Sequence, residues 1–391
     1  MAGGHKASEA AGSRPGALVF GEDTGAANYL ADVPGMLGKM DLACTVVAND
    51  HAARHFARLG IECDNLTAAM SSEELVAARP MLVIVGAGIN LDSFGLDLIA
   101  ASKAAGIVTV GVVDQRQNLG DRFRGRTDAP LAYTPDWVLV PDSSARAYFV
   151  DEGVPRDRVV LCGHPHFDKM YALRDTCDAS QRTALRAQLF PDCAPGRHIV
   201  IFGTEPAKSV RGSVGAYRRD RDYTLEGLSG TPYRTQIAIE EFLNALGSVE
   251  DPVYTVLRLH PHDPDDTEFA DYYAEFDMVS DRGLPQQLML ASDLVVGVTS
   301  MLLVEAVILG RPTLSILPRR SDAAMLATIE RGLTPHASER GEVGELLVRL
   351  IGAPQIQSAA AVEDVFPRNA AGRMQDFLGR LVGGRRALGV A

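Results

Sequence analysis

Between Ala17 and Cys162 short apolar runs alternate with stretches in which apolar residues recur at helical spacing. Runs rich in Val, Ile and Leu read as buried strands at Ala17–Phe20, Cys44–Val47, Leu82–Val85, Val108–Val113, Trp137–Val140 and Val159–Cys162. The stretches between them, near Ala26–Leu37, Ala52–Leu59, Ser72–Ala78, Ser93–Ala105 and Ser143–Glu152, read as helices. Such alternation predicts a doubly wound parallel sheet. Residues 169–196 are polar and helical, and Pro191, Pro195 and Gly196 then mark a boundary. The pattern returns with strands at Ile199–Phe202, Val253–Leu259, Leu294–Val298 and Thr313–Ile316. Helices are expected at Thr231–Gly247, Thr267–Phe276, Met301–Leu309, Asp322–Arg331, Gly341–Ile351 and from Gln375 to Leu381. Two Rossmann-like α/β domains follow, over 16–168 and 197–365, joined by a linker at 169–196.

In such sheets ligands collect at the carboxyl ends of the strands, so the residues just after each strand carry the candidate chemistry. After Val298, Thr299 and Ser300 stand where a hydroxyl can cap the next helix, Gly310 closes that helix and Pro312 follows. Hydroxyls and free backbone N–H groups at a helix start favour a phosphate, by dipole and donors together. Glu305 lies about 7.5 Å further along the axis, an offset that suits a carboxylate accepting from ribose hydroxyls. The alternative makes Ser300 a plain cap and Glu305 a solvated glutamate. The strand Val253–Leu259 stops on His260-Pro261-His262, because proline cannot continue the ladder, and this puts Arg258 and His260 at a sheet rim. Ile199–Phe202 ends on Gly203-Thr204-Glu205. Lys208, Arg211, Arg218, Arg219 and Arg221 follow among glycines, as a lid for phosphates or as solvated surface. Asp263-Pro264-Asp265 reads as a helix cap rather than a metal motif.

In the first half, Gly21-Glu22-Asp23-Thr24-Gly25 places two carboxylates before a glycine turn. They supply a general base, since close acids raise one another's pKa, or Asp23 simply caps the helix that follows. Gly86-Ala87-Gly88-Ile89-Asn90 is half a dinucleotide fingerprint, read as a tight turn whose backbone approaches a ligand. Asp114 follows a buried strand and can orient a sugar hydroxyl, while Arg116 or Arg122 can pair with phosphate or carboxylate.

Composition narrows this picture. The 391 residues are 46% hydrophobic, enough for two full cores. A net charge of −12 argues against nonspecific nucleic-acid binding. The five cysteines are scattered without a Cys-x-x-Cys pair, as in a reducing cytoplasm. Residues 1–15 lack an apolar core and read as a disordered leader, and no run of about eighteen apolar residues suggests a membrane span.

The set His260-Pro261 after a strand, then Ser292-Asp293-Leu294-Val295-Val296-Gly297, Thr299-Ser300, Glu305-Ala306 and Leu309-Gly310-Arg311-Pro312, resembles the nucleotide-binding domain of GT-B-type glycosyltransferases and of the related UDP-GlcNAc 2-epimerases. The epimerases carry Gly-Gly after the serine and two glutamates further on, where this chain has Met301-Leu302 and Glu305. The resemblance implies two Rossmann-like domains facing a cleft, with a terminal helix over 366–391 crossing back onto the first. It implies a metal-independent transferase that moves a sugar from a UDP-, CMP- or similar nucleotide to a hydroxyl on a small molecule or glycan. No cofactor is bound, the nucleotide sugar being substrate. Arg258, His260, Thr299, Ser300 and Glu305 would hold the nucleotide, with Gly25, Arg116, Gly203 and Thr204 as further binding positions. Asp23, Glu22 or Asp114 would act as base. His164, in a Gly-x-Pro before the linker like that of GT-B chains, would act as acid or base. Other readings are a hydrolysing UDP-GlcNAc 2-epimerase and a non-catalytic nucleotide-binding module, and a homodimer stays open.

Overall fold

The computed structural model describes residues 16–205, 222–260, 268–281 and 283–387. The leader, most of the basic glycine-rich segment, Pro261-His262 and Asp263-Pro264-Asp265 lie outside them. The chain forms two compact units. One holds the described residues up to Pro141, Ala145–Pro165 and those from Asn369 onward; the other holds Asp142–Ser144 and His166–Arg368.

The first unit is built on seven parallel strands: β1 (Gly16–Gly21), β2 (Ala43–Ala48), β3 (Asp64–Asn65), β4 (Leu82–Gly86), β5 (Val108–Val112), β6 (Trp137–Val140) and β7 (Val159–Leu161), in the order β3-β2-β1-β4-β5-β6-β7. The strands are apolar on both faces because helices cover both. Ala17 and Val19 of β1 join one core with Leu82 and Ile84, while Leu18 and Phe20 join the other with Val83 and Val85. The helix Ala370–Ala387 contributes Met374, Phe377, Leu378 and Val382 to the first of these cores.

The second unit repeats this winding with six parallel strands: β8 (His198–Gly203), β9 (Val253–Arg258), β10 (Met278–Ser280), β11 (Leu294–Gly297), β12 (Thr313–Ile316) and β13 (His336–Ala337), in the order β10-β9-β8-β11-β12-β13. Val200 and Phe202 enter its main core, and Ile199 and Ile201 point into the smaller core on the other face. In each sheet the order reverses beside the first strand, between β1 and β4 and between β8 and β11. There the strand ends splay and leave room for polar groups.

Several expected elements differ. The helix expected over Ala26–Leu37 is two, Thr24–Leu30 and Val33–Lys39, because Pro34 lacks the N–H needed to continue a single helix. The segment 169–196 is helical as its pattern predicts, in the helices Pro165–Thr176 and Ala179–Leu189, and the first of these starts earlier and places Phe167, Met170 and Tyr171 in the second unit's core. The helix expected near Thr267–Phe276 is a short 3-10 turn at Ala270–Glu275, and the edge strand β10 follows it. Asp322–Arg331 divides into a 3-10 segment, Arg320–Met325, and one helical turn, Ala327–Glu330.

Candidate functional site

In the first unit the strand-end residues converge at the reversal point. Asp23 caps the helix Thr24–Leu30, accepting from the Ala26 N–H at 2.8 Å. Its Oδ1 lies 3.4 Å from where a Cβ on Gly25 would stand, and Oδ2 of Asp114 lies 2.1 Å from the same point. Only glycine lets this turn approach Asp114. The other Asp114 oxygen takes Nη1 of the buried Arg122 at 2.8 Å, and Arg122 also donates to the carbonyls of Ala87 at 2.5 Å and Gln117 at 3.3 Å. Arg122 is therefore committed within the fold, while Arg116 is half-buried in the same loop.

Asp23 is half-buried by area but lies deep among protein atoms. Burial first, and the charge of Asp114 second, push its carboxyl up to about 6. Arg122 and the Ala26 N–H pull the other way without cancelling this. Sequence adjacency suggested that Glu22 and Asp23 would perturb each other; the stronger partner of Asp23 is Asp114, which the fold brings from β5. Glu22 points elsewhere, accepting from Ser93 Oγ and from Asn90 Nδ2 at 3.2 Å, and burial raises its pKa too. The Gly86–Asn90 turn does make a close backbone approach, but to Glu22: a Cβ on Gly88 would stand 2.5 Å from Glu22 Cγ. His164 is buried against Tyr29, ring centroids 4.6 Å apart, and the Tyr29 hydroxyl donates to the Gly163 carbonyl at 2.6 Å.

In the second unit the reversal point is threaded by a guanidinium. Arg234, buried on the helix Arg234–Leu246, donates to Glu205 Oε2 at 2.5 Å, Thr299 Oγ1 at 3.0 Å and Asp322 Oδ2 at 2.9 Å. Glu205 also accepts from the Thr299 N–H and from its hydroxyl, the latter at 3.1 Å. Arg319 donates to the other oxygen of Asp322 at 2.8 Å. Thus the loop before Met301 does not offer the Thr299 N–H to a ligand, as its sequence suggested, because the Glu205 carboxylate already holds it. Glu205, Arg234 and Asp322 were not singled out from the sequence as this network. Their signal is a buried carboxylate directly after β8, which requires a cation the linear order does not point to.

Around this network, Ser300 caps the helix Met301–Ile308, accepting from the Leu302 N–H at 3.2 Å. Glu305 Oε1 lies 3.1 Å from His166 Nε2, both side chains keeping partial exposure. Thr204 is buried and its hydroxyl accepts from the His260 N–H at 2.8 Å. Arg258 turns to Ser280 Oγ at 3.0 Å and the Gly283 carbonyl at 3.2 Å, and burial lowers its pKa. The Leu302 side chain packs beside Gly203, 2.5 Å from where its Cβ would be.

No protein-family model and no curated protein matches this chain. Solved structures do. The UDP-GlcNAc 2-epimerase of Neisseria meningitidis bound to UDP-GlcNAc is similar at a TM-score of 0.61 and 14% identity, over 93% of this chain and 99% of that one. S. aureus MnaA with UDP is similar at 0.62 and 13%, over 96% and 98%. The wall teichoic acid polymerase TagF with CDPG is similar at 0.53 and 13%, over 96% and 90%. At such identities these likenesses establish the fold, and the chain has the two-domain α/β arrangement called GT-B.

Proposed function

We propose that the protein is a nucleotide-sugar-dependent glycosyltransferase in which Asp23 removes the proton of the acceptor hydroxyl. The observation that carries this reading is the carboxylate of Asp23, raised to about 6 beside Asp114 at the reversal point of the first sheet. A base works best when its pKa lies near the working pH, and an unperturbed aspartate would be too weak. Asp114, fixed by Arg122, orients the sugar hydroxyl; Glu22, held by Ser93 and Asn90, shapes the turn beside it.

The nucleotide is assigned to the second unit. Ser300 and the start of the helix Met301–Ile308 favour the departing diphosphate through donors and dipole, where charge develops in the transition state. Glu305, steadied by His166, has one carboxylate oxygen facing the imidazole and the other for ribose hydroxyls. The network of Glu205, Arg234 and Asp322 fixes the Thr299-Ser300 loop from behind. The neighbours support this assignment, since one is a UDP-GlcNAc 2-epimerase bound to UDP-GlcNAc and another was solved with UDP.

Hydrolytic epimerisation of a UDP-sugar is the second reading, favoured by the higher TM-score to the Neisseria meningitidis epimerase than to the polymerase. Met301 and Leu302, with Leu302 packed against Gly203, favour the transferase. The deciding experiment measures release of nucleoside diphosphate from a panel of nucleotide sugars with and without hydroxyl acceptors. Acceptor-dependent release that is lost in Asp23→Asn supports the transferase. Acceptor-free release with a free sugar as product replaces it by the epimerase, and nucleotide binding without turnover leaves a binding module.

A further inference from the structure

The crossover helix Met301–Ile308 runs back across its sheet, so its carboxyl end lies at the edge opposite Ser300. There Arg174, Cys177, Arg182, Leu309, Arg311 and Ile356 line a cavity of about 210 Å³. Three guanidinium groups share this small space in a chain whose net charge is −12. Two of them have evident structural work. Arg174 donates to the Ile308 carbonyl at 3.3 Å, and Arg182 donates to the Leu290 and Ser292 carbonyls at 3.1 and 2.8 Å, which satisfies helix carboxyl ends.

Arg311 has no comparable role. It donates to the carbonyl of its own neighbour, Gly310, at 3.0 Å, and among the described residues neither it nor Arg174 forms an ion pair. The nearby carboxylate, Asp293, is bound by Arg182 and Arg186 at 2.6 Å each and by the Ile199 N–H at 2.8 Å. Burial first, and the charge of Arg182 second, depress Arg311 to about 10. A half-buried cation held against like charges raises the energy of the fold unless something negative joins it.

We propose that this cavity is a binding site for a small phosphoryl anion, held by Arg174, Arg182 and Arg311 at the edge of the second unit away from the candidate nucleotide site. Guanidinium groups suit the choice, since their planar N–H pairs match the oxygens of phosphate. The volume is below the roughly 300–1,000 Å³ of pockets that enclose drug-sized ligands, so it suits orthophosphate or the phosphate end of a monoester. The exposed Ile356 at its lining leaves the rest of such a monoester a way out to solvent.

The test is thermal unfolding of the whole protein at constant ionic strength, with sodium chloride replaced in turn by inorganic phosphate and by glycerol phosphate, a monoester without the nucleoside that the candidate nucleotide site would take. Either anion at about ten times its Kd is expected to raise the midpoint by about 3 °C. Arg311→Gln removes the charge without leaving a carboxylate unpaired, and is expected to raise the midpoint in phosphate-free buffer and abolish the response. Alkylation of Cys177 gives a local readout and should slow with phosphate in the wild type alone. A response to phosphate identifies a free ion, and a response to the monoester alone identifies a phosphorylated metabolite. No response to either anion, a response that persists in Arg311→Gln, or unchanged Cys177 alkylation overturns the proposal.

Discussion

The two sheets have the same winding and put charged groups at the same point, yet the two points differ in electrostatic state. At β1 and β4, Glu22, Asp23 and Asp114 gather near Arg122, which contacts Asp114, and Asp23 is left holding its proton up to about 6. At β8 and β11, Glu205 and Asp322 are matched by Arg234 and Arg319 at 2.5 to 2.9 Å. The topology decides where polar groups can collect. The ratio of acids to cations decides what they can do there: an excess of carboxylate makes a proton acceptor, and a matched set makes a rigid support.

If this contrast is right, substitutions at the two points must fail in different ways. The largest effect is expected from Asp23→Asn, with turnover falling about 10²- to 10⁴-fold while nucleotide binding, measured by calorimetry, stays unchanged. The wild-type kcat/KM should rise with pH through about 6, the value at which Asp23 loses its proton. A loss of binding equal to the loss of turnover would make Asp23 a structural cap. Arg234→Met should do the opposite. It leaves Glu205 and Asp322 buried without their shared cation, and urea unfolding is expected to show a loss of about 3–5 kcal/mol.

Stability against pH separates the two points further. Asp23 is harder to ionise folded, at about 6, than unfolded, at 3.8. Below pH 3.8 both states hold the proton and nothing is lost. Between there and about 6 the unfolded chain ionises first, so the wild type loses stability as pH rises and then levels off. Asp23→Asn lacks this loss, so its advantage over wild type should grow across that window to about 3 kcal/mol. A constant difference would mean that Asp23 titrates normally. Gly25→Ala comes next: its Cβ would stand 2.1 Å from Asp114 Oδ2, and displacing that carboxylate from Arg122 should cost about 1–3 kcal/mol by thermal unfolding.

The sequence revealed the longer strands well because they are apolar runs with neighbours on both faces, and β6 and β12 occupy the ranges their pattern predicts. It did not reveal β3, β10 and β13, which have two or three residues and too few side chains to carry a period. The strand-end candidates were legible for the same reason: a polar residue after an apolar run must sit at a sheet edge. Their partners were not. Asp114 meets Asp23 from ninety-one residues away, and Arg234 meets Glu205 through a helix whose apolar pattern gives no hint that its first residue points inward. Composition could not show that Leu302 fills the space beside Gly203, since that depends on the approach of two backbones.

The smallest expected effect bears on the matched point. Ser300→Ala removes the cap of the helix Met301–Ile308 and leaves the Leu302 N–H to water, at a cost of about 0.5–2 kcal/mol in unfolding. Because Glu205 and Arg234 hold Thr299 from behind, the loop itself should keep its shape, so that loss should be no larger in the presence of Arg234 than an ordinary cap. Nucleoside diphosphate affinity is where Ser300 would act beyond capping. A tenfold loss of affinity corresponds to about 1.4 kcal/mol of lost interaction. If Ser300→Ala lowers stability and leaves nucleotide affinity unchanged, the second reversal point is support alone, and the contrast with the first becomes absolute.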